Sequence, residues 1–420
     1  MRKLIFTFVL LLSQNLFADK FHYRDVLIGE RAAGLGGSYI AISDDPSGMY
    51  YNPAGILFSF ENYFSLSANA YSMTSIKYKD VLPGKDYEYQ SGGLVASFFG
   101  FTQNWRKSKL GFAIITPRSD LFDQDDQIDV NSGSGLPNQL TRKYFRSNTQ
   151  TLLGPAFATE LFKDFAIGVS GFLSYNVDKA IDQQVTTYNS GGSASNTLYN
   201  IDMRSINNTS IGFHPKVGLQ YMPIPKLSVG ATLTQGMTLS GKKIVKRTYT
   251  EMNGTVPADP DGSLSTNLPR TKTESDSQVL APLEIGLGVA YFHSKQFMLT
   301  SDFIYYGSDE RFTEFNTVST FNYSLGLEYY LSDASAFRFG FFTNNSNTPK
   351  VENGKSNQND SVDLFGIGSS FTTVSSGSSF TFGFYYSSGM GQGQAVGNST
   401  AVQDIEMSNT TVYLTGSYQL

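Results

Sequence analysis

The sequence predicts an all-β fold, a transmembrane antiparallel β-barrel of about 14 strands. One observation is composition. The 420 residues include 33 Phe, 25 Tyr and 1 Trp, and only 16% are charged, against about 25% in ordinary soluble proteins. Another is alternation of apolar with small or polar residues, repeated in segment after segment. A third is the spacing of those segments, whose links are short and long in turn. A mean hydropathy of −0.21 does not oppose the barrel, because lipid-facing and lumen-facing residues cancel in an average.

The chain opens with the three parts of a secretory signal over residues 1–18. Arg2 and Lys3 are its positive end, Leu4 to Leu12 its apolar run, and Leu16-Phe17-Ala18 its cleavage site. The apolar run has nine residues, too few for a helix that needs about 20 to cross a bilayer. No later stretch is long and apolar enough either. A chain of this kind that lives in a membrane has only a closed barrel available, since every backbone polar group must then be paired internally. Export to the outer membrane of a Gram-negative bacterium is the expected destination.

Beyond Ile56, alternation places strands at 60–79, 90–101, 108–116, 148–161, 164–178, 204–222, 225–240, 276–292, 296–306, 316–331, 335–344, 360–373, 377–388 and 405–420. Phe321 to Leu331 shows the pattern well. Phe321, Tyr323, Leu325, Leu327, Tyr329 and Leu331 share one face, and Asn322, Ser324, Gly326 and Glu328 the other. Leu283 to Tyr291 alternates with Glu284, Gly286, Gly288 and Ala290, and the same holds from Leu227 to Thr234 and from Val412 to Leu420. The second face is small and polar, as a crowded lumen requires. Links after even-numbered strands are turns such as Phe162-Lys163 and Ser332-Asp333-Ala334. Links after odd-numbered strands are mostly long, as at 117–147, 179–203 and 241–275. Short periplasmic turns and long outer loops are the sorting that an outer-membrane barrel shows.

The Ser332-Asp333-Ala334 turn makes a register prediction. If Leu331 faces Ser335, then Glu328 faces Arg338 on the inner face, and Leu327 faces Phe339 and Leu325 faces Phe341 on the outer. A charge facing lipid at mid-depth costs about 2–4 kcal/mol, so Glu328 and Arg338 are expected to form a lumen polar pair.

Ahead of the strands, Gly29 to Ile56 is rich in small residues and carries Asp44-Asp45 and Asn52-Pro53-Ala54-Gly55. Pro53 fixes its own φ and pushes Asn52 away from helical geometry. The Asn52 side chain can satisfy nearby backbone groups. Together with Arg31-Ala32-Ala33-Gly34-Leu35-Gly36-Gly37 and Tyr51, this stretch resembles the N-terminal hatch of the FadL-type outer-membrane transport family, channels for long-chain fatty acids and aromatic hydrocarbons. Leu110-Gly111-Phe112 to Pro117, Pro282 to Tyr291, and Phe337 to Phe341 resemble strands of that family. The resemblance implies a 14-stranded barrel over 59–420, a hatch over 19–58 folded into the lumen, and passive transport of a hydrophobic small molecule with lateral exit through the wall. It assigns the hatch or gate to Asn52, Pro53, Ala54 and Gly55, with Asp44 and Asp45 beside them.

The long link 117–147 is the candidate ligand-capture loop. Leu121, Phe122, Ile128, Val130, Leu136, Tyr144 and Phe145 supply apolar surface, and Arg142, Lys143 and Arg146 supply charge for a carboxylate. Its five Asp residues at 120, 123, 125, 126 and 129 read as a solvated cluster.

Other chemistries are set aside. With no cysteine there is no disulfide framework and no thiolate metal site. His22, His214 and His293 lie in separate segments, so no metal site, cofactor site or catalytic triad is expected, and no enzyme. Gly34-Leu35-Gly36-Gly37 lacks the spacing of a phosphate loop. A net charge of −5 argues against nucleic acid. The expected partners are outer-membrane lipid and a hydrophobic ligand, with the barrel acting as a monomer. The alternative function is a structural or docking barrel that anchors or binds a surface or secretion partner, which the sequence does not name.

Overall fold

The computed structural model describes residues 22–60, 62–82, 85–129, 137–188, 198–252, 270–279, 281–309, 317–356, 358–395 and 400–419. The expected leader 1–18, and Val130, Leu136 and Leu420, lie outside these residues. Among the described residues no helix is long and apolar enough to cross a membrane.

The strands are β1 (Tyr63–Leu82), β2 (Lys85–Trp105), β3 (Ser108–Asp129), β4 (Pro137–Phe162), β5 (Phe165–Tyr188) and β6 (Leu198–Ile224). They continue as β7 (Leu227–Gln235), β8 (Met237–Met252), β9 (Arg270–Asp276), β10 (Leu283–Phe292), β11 (Phe297–Tyr306) and β12 (Thr320–Ser332). The last are β13 (Ser335–Asn344), β14 (Ser361–Val362), β15 (Leu364–Ser375), β16 (Ser378–Gly393) and β17 (Gln403–Gln419). Three staves are each split in two: β7 runs on into β8, β9 into β10, and β14 into β15. Consecutive staves pair antiparallel, and β17 pairs with β1. The result is a closed barrel of 14 staves with no free edge.

Alternation decides which face each side chain takes. In β12 and β13, Leu325 is 54% and Phe339 44% exposed on the outside, whereas Glu328 is 0% exposed within. The outward residues form a continuous apolar band of the kind a bilayer covers. Aromatic rings gather near the short turns, as in the stack of Phe162 on Phe165 at 4.5 Å and the edge contact of Trp105 with Phe157, where an interfacial girdle belongs.

Two details differ from the sequence reading. Ser332 pairs with Ser335, with the register shifting between Tyr330 and Ser332. The turn is therefore Asp333-Ala334, with Leu331 as a bulge, and beyond it Glu328 pairs with Arg338 and Leu327 with Phe339. The described residues of the segments read as long loops at 117–147, 179–203 and 241–275 are strand, forming the far ends of β3–β6, β8 and β9. A tilted strand crosses the apolar core in about 9–11 residues. β10, β11 and β13 have 10 each, but β4 to β6 have 24 to 27. Their outer halves stand clear of lipid, where both faces can be polar.

The wall is interrupted between β2 and β3, and among the described residues a second lapse leaves 236–241 without a ladder to 277–282, between Lys242↔Asp276 and Leu283↔Gln235. β2 and β3 pair from Trp105↔Ser108 up to Phe98↔Ile115, then again only at Ser91↔Phe122. No ladder pair joins 92–97 to 116–121. The neighbouring ladders are bulged at the same level, at Ser67/Ala68 and Asn69/Ser72 in β1–β2 and at Ile115/Arg118 in β3–β4. Pro117 lacks an N–H to donate, and Gly92 and Gly93 offer no side chain to pack, so the local sequence weakens the ladder from both sides.

Candidate functional site

The N-terminal segment lies against inward-facing residues all round the ring. Glycines receive it. A Cβ at Gly168 of β5 would run into Pro53 and Ala54, and one at Gly218 of β6 into the Asn52 side chain. Gly230 of β7 and Gly288 of β10 leave room for Ile40 and Ala41, and Gly340 of β13 for Leu35 and Gly36. Close approach of two backbones is what glycine inside a strand permits.

Asn52 is fully buried. Its Nδ2 donates to Ile40 O at 2.7 Å and to Leu219 O of β6 at 3.0 Å, and its Oδ1 accepts from Ala54 N at 3.1 Å. Pro53 and Ala54 form the turn that Gly55 N closes onto Asn52 O at 3.0 Å. One side chain thus ties two parts of the segment to each other and to the wall.

A charged network pins the other side. Arg31 Nη1 donates to Asp44 at 2.6 and 2.7 Å, and Arg31 Nε to both Glu328 oxygens at 3.0 Å. Arg338 Nε donates to Glu328 Oε1 at 2.7 Å. Tyr39 and Ile40 donate their backbone N–H groups to Asp302 Oδ2 at 2.6 and 2.9 Å. Glu30 accepts from the hydroxyls of Thr381, Ser379 and Ser417. Asp45 is buried and accepts from Ser47 N and Oγ at 2.7 and 2.5 Å. Burial pushes its carboxyl up to about 6, with the Ser47 hydrogen bonds pulling the other way.

The residues assigned to a capture loop stand on strands and divide between two faces. Leu121, Lys143 and Phe145 take one face. Phe122, Arg142, Tyr144 and Arg146 take the inner one, where all four are buried. Arg142 is held by Asp182 at 3.0 and 2.9 Å, and Arg146 by Asp178 at 2.8 and 2.9 Å. Phe122 and Tyr144 join Ile76, Tyr78, Tyr89 and Met407 in an apolar cluster inside the outer end of the barrel.

Sequence reasoning passed over two cavities. One, of about 160 Å³, lies between Tyr23 and Tyr50 of the N-terminal segment and the inner faces of β3–β6. Lys216 and Glu284 line it, paired at 2.9 Å, as does Arg118. The other, of about 180 Å³, lies at the interruption, lined by Gly93, Leu94, Val95, Ser119, Leu121 and Asp25. The Arg118–Asp25 ion pair, at 2.5 Å, is shared between them, Arg118 lining the first and Asp25 the second. Gly92-Gly93 and Pro117, strand-breaking residues on the two strands of one hairpin, were the available signal.

No family model and no curated protein matches the chain. Solved structures do. A Pseudomonas aeruginosa FadL homologue is 13% identical with a TM-score of 0.60, covering 94% of this chain and 99% of its own. The P. putida toluene transporter TodX is 11% identical with a TM-score of 0.61, covering 93% and 97%. The Ralstonia pickettii toluene transporter TbuX is 12% identical with a TM-score of 0.55, covering 94% and 98%. At this identity the likeness defines the fold: a closed, 14-stave antiparallel barrel. It is the fold of the FadL-type channels.

Proposed function

We propose that this chain is a passive outer-membrane channel for hydrophobic small molecules of the fatty-acid or hydrocarbon class. Residues 22–58 act as its hatch, and the molecule leaves sideways between β2 and β3. The observation that carries this reading is the missing ladder between 92–97 and 116–121, with the cavity that reaches it from inside. The molecule enters past the aromatic cluster of Tyr78, Tyr89, Phe122 and Tyr144, rests in the cavity beside Tyr50, and passes Arg118–Asp25 to the wall. The hatch is held by Asn52, Pro53, Ala54 and Gly55 on one side and by Arg31, Asp44, Glu328 and Arg338 on the other, and Asp45 braces it from within. No step calls for catalysis or a cofactor. The barrel works in a Gram-negative outer membrane as a monomer, with lipid as its surroundings. The fold shared with the two toluene transporters supports the ligand class.

Leu94 and Ser119 lie opposite each other in the register that runs from Ser91↔Phe122 to Phe98↔Ile115. The chain has no cysteine, so Leu94→Cys with Ser119→Cys gives a unique pair for a bismaleimide. Joined, the pair should slow toluene or dodecanoate uptake into proteoliposomes, while either single variant leaves it unchanged. Unslowed uptake after crosslinking defeats lateral exit, and uptake equal to empty liposomes defeats transport.

A docking barrel is the second reading, favoured by the height of β4–β6 above the bilayer. A stoichiometric partner recovered by crosslinking, with no lipid retained through purification, would favour it over transport.

A further inference from the structure

The cavity beside Tyr50 has a chemistry of its own. Its lining is mixed. Leu152, Phe172 and Val279 are apolar, Tyr306 stacks on Tyr23 at 4.5 Å, and Asn148, Gln150, Asn176, Asn208 and Gln278 bring amides. Four charged side chains also line it, and each has an opposite charge on it: Arg118 with Asp25, Lys216 with Glu284 at 2.9 Å, and Asp178 with Arg146 at 2.8 Å. His214 completes the titratable set. Polar atoms of the lining also go unused, an amide donor and an amide acceptor among them. Asn148 Nδ2, on a side chain 7% exposed, and Gln278 Oε1 are buried without a hydrogen-bond partner among the described residues.

Two ligand classes fit this poorly. An ionised carboxylate would bring a single uncompensated charge into a site whose charges already balance, and its desolvation would have no free cation to offset it. A pure hydrocarbon would cover Asn148 and Gln278 and leave an unused donor and an unused acceptor sealed from water. A hydroxyl both donates and accepts, and carries no charge. Resting on the transport reading above, we propose that the molecule this cavity selects is a neutral amphiphile with a hydroxyl head and an apolar body, such as an alkylphenol or an alcohol. The head meets Asn148 and Gln278, and the body lies against Tyr306, Phe172 and Leu152.

The test uses the full chain in lipid nanodiscs and three probes of one shape: 4-propylphenol, propylbenzene and 4-propylbenzoate. At about pH 7.5 the phenol is neutral and the benzoate ionised. Calorimetry, corrected with empty nanodiscs, should give the phenol about tenfold tighter binding than either other probe, a difference of about 1.4 kcal/mol. Asn148→Leu should remove that preference, weakening the phenol and tightening propylbenzene, which no longer seals an unpaired donor. Glu284→Gln leaves the Lys216 ammonium without its carboxylate and should raise benzoate affinity. Wild-type benzoate or propylbenzene binding as tight as the phenol overturns the proposal, as does an unaltered preference in Asn148→Leu. If none of the probes binds while proteoliposome uptake of toluene stands, the head-group selection fails alone. If that uptake is absent as well, the transport reading fails with it.

Discussion

Single side chains hold the N-terminal segment in the lumen, and their substitution should be measurable one at a time. Glu328 serves two guanidinium groups, and Gln in its place leaves buried Arg338 without its directly bonded carboxylate while Arg31 keeps Asp44. Breaking a buried pair in this way costs about 3–5 kcal/mol. Glu328→Gln should therefore lower the temperature at which the folded, heat-modifiable band is lost on electrophoresis, and Arg338→Lys should do so less. Asp45 predicts a pH response. Its folded carboxyl is raised to about 6 from an ordinary 3.8, so the folded state binds the extra proton between those values. Stability is then highest below about 4, falls as pH rises toward 6, and is level above it. Hydrogen exchange at residues 38–58, corrected for intrinsic rate, should quicken between pH 4 and 7, and Asp45→Asn should flatten that change. The Glu328–Arg338 pairing was legible from sequence because alternation puts both on the inner face, and the bulge at Leu331 makes up for a turn one residue shorter than expected. The partners of Arg142 and Arg146 were not, since both arginines and Asp182 lie on strand that looked like loop, and Asp178 stood at the last position of the strand read there.

At the scale of the element, a strand announces itself where one of its faces meets oil. β12, with Phe321 to Leu331 alternating outward, could be read directly. The outer halves of β3 to β6 could not, because their outward faces carry polar residues and their buried inner faces mix Arg142, Arg146 and Asp178 with the aromatics. The inner glycines carry the other element-scale message. Each stands where the N-terminal backbone touches the wall, so a side chain should displace that backbone and leave the strand intact. Gly340→Val places its Cβ against the Leu35 carbonyl and Gly36. The barrel should still fold and insert, while protease from the outside or a small dye should reach the lumen. A variant as tight as the wild type would show that Leu35 and Gly36 are not what seals it. Leu325→Arg, by contrast, should cost about 2–4 kcal/mol on the lipid face, and Ser324→Arg should act through the lumen.

For the whole molecule, ring closure and filling go together. Among the described residues the ring is laddered throughout apart from short lapses, chiefly the interval between β2 and β3 and the one between 236–241 and 277–282, and its lumen is occupied by a segment tied to nearly every stave. Single-channel conductance of the full chain should accordingly be low, and should rise in Gly340→Val. The 14-stave count was legible because short turns and alternation repeat around the ring, whereas the interval was hidden, its Gly92-Gly93 and Pro117 being ordinary residues until two strands are laid side by side. That interval begins at residue 97 and ends at 92, counting upward from the turn after Trp105. At about 3.3 Å per residue and a tilt of about 40°, it spans roughly 20–33 Å above that turn. In the outer membrane proposed for it, its lower lip would sit among acyl chains and its upper lip among head groups. The unladdered amides and carbonyls would meet neighbours there that can bond them, and a molecule leaving by the proposed lateral route would be set down with its tail already in fat and its head already in water.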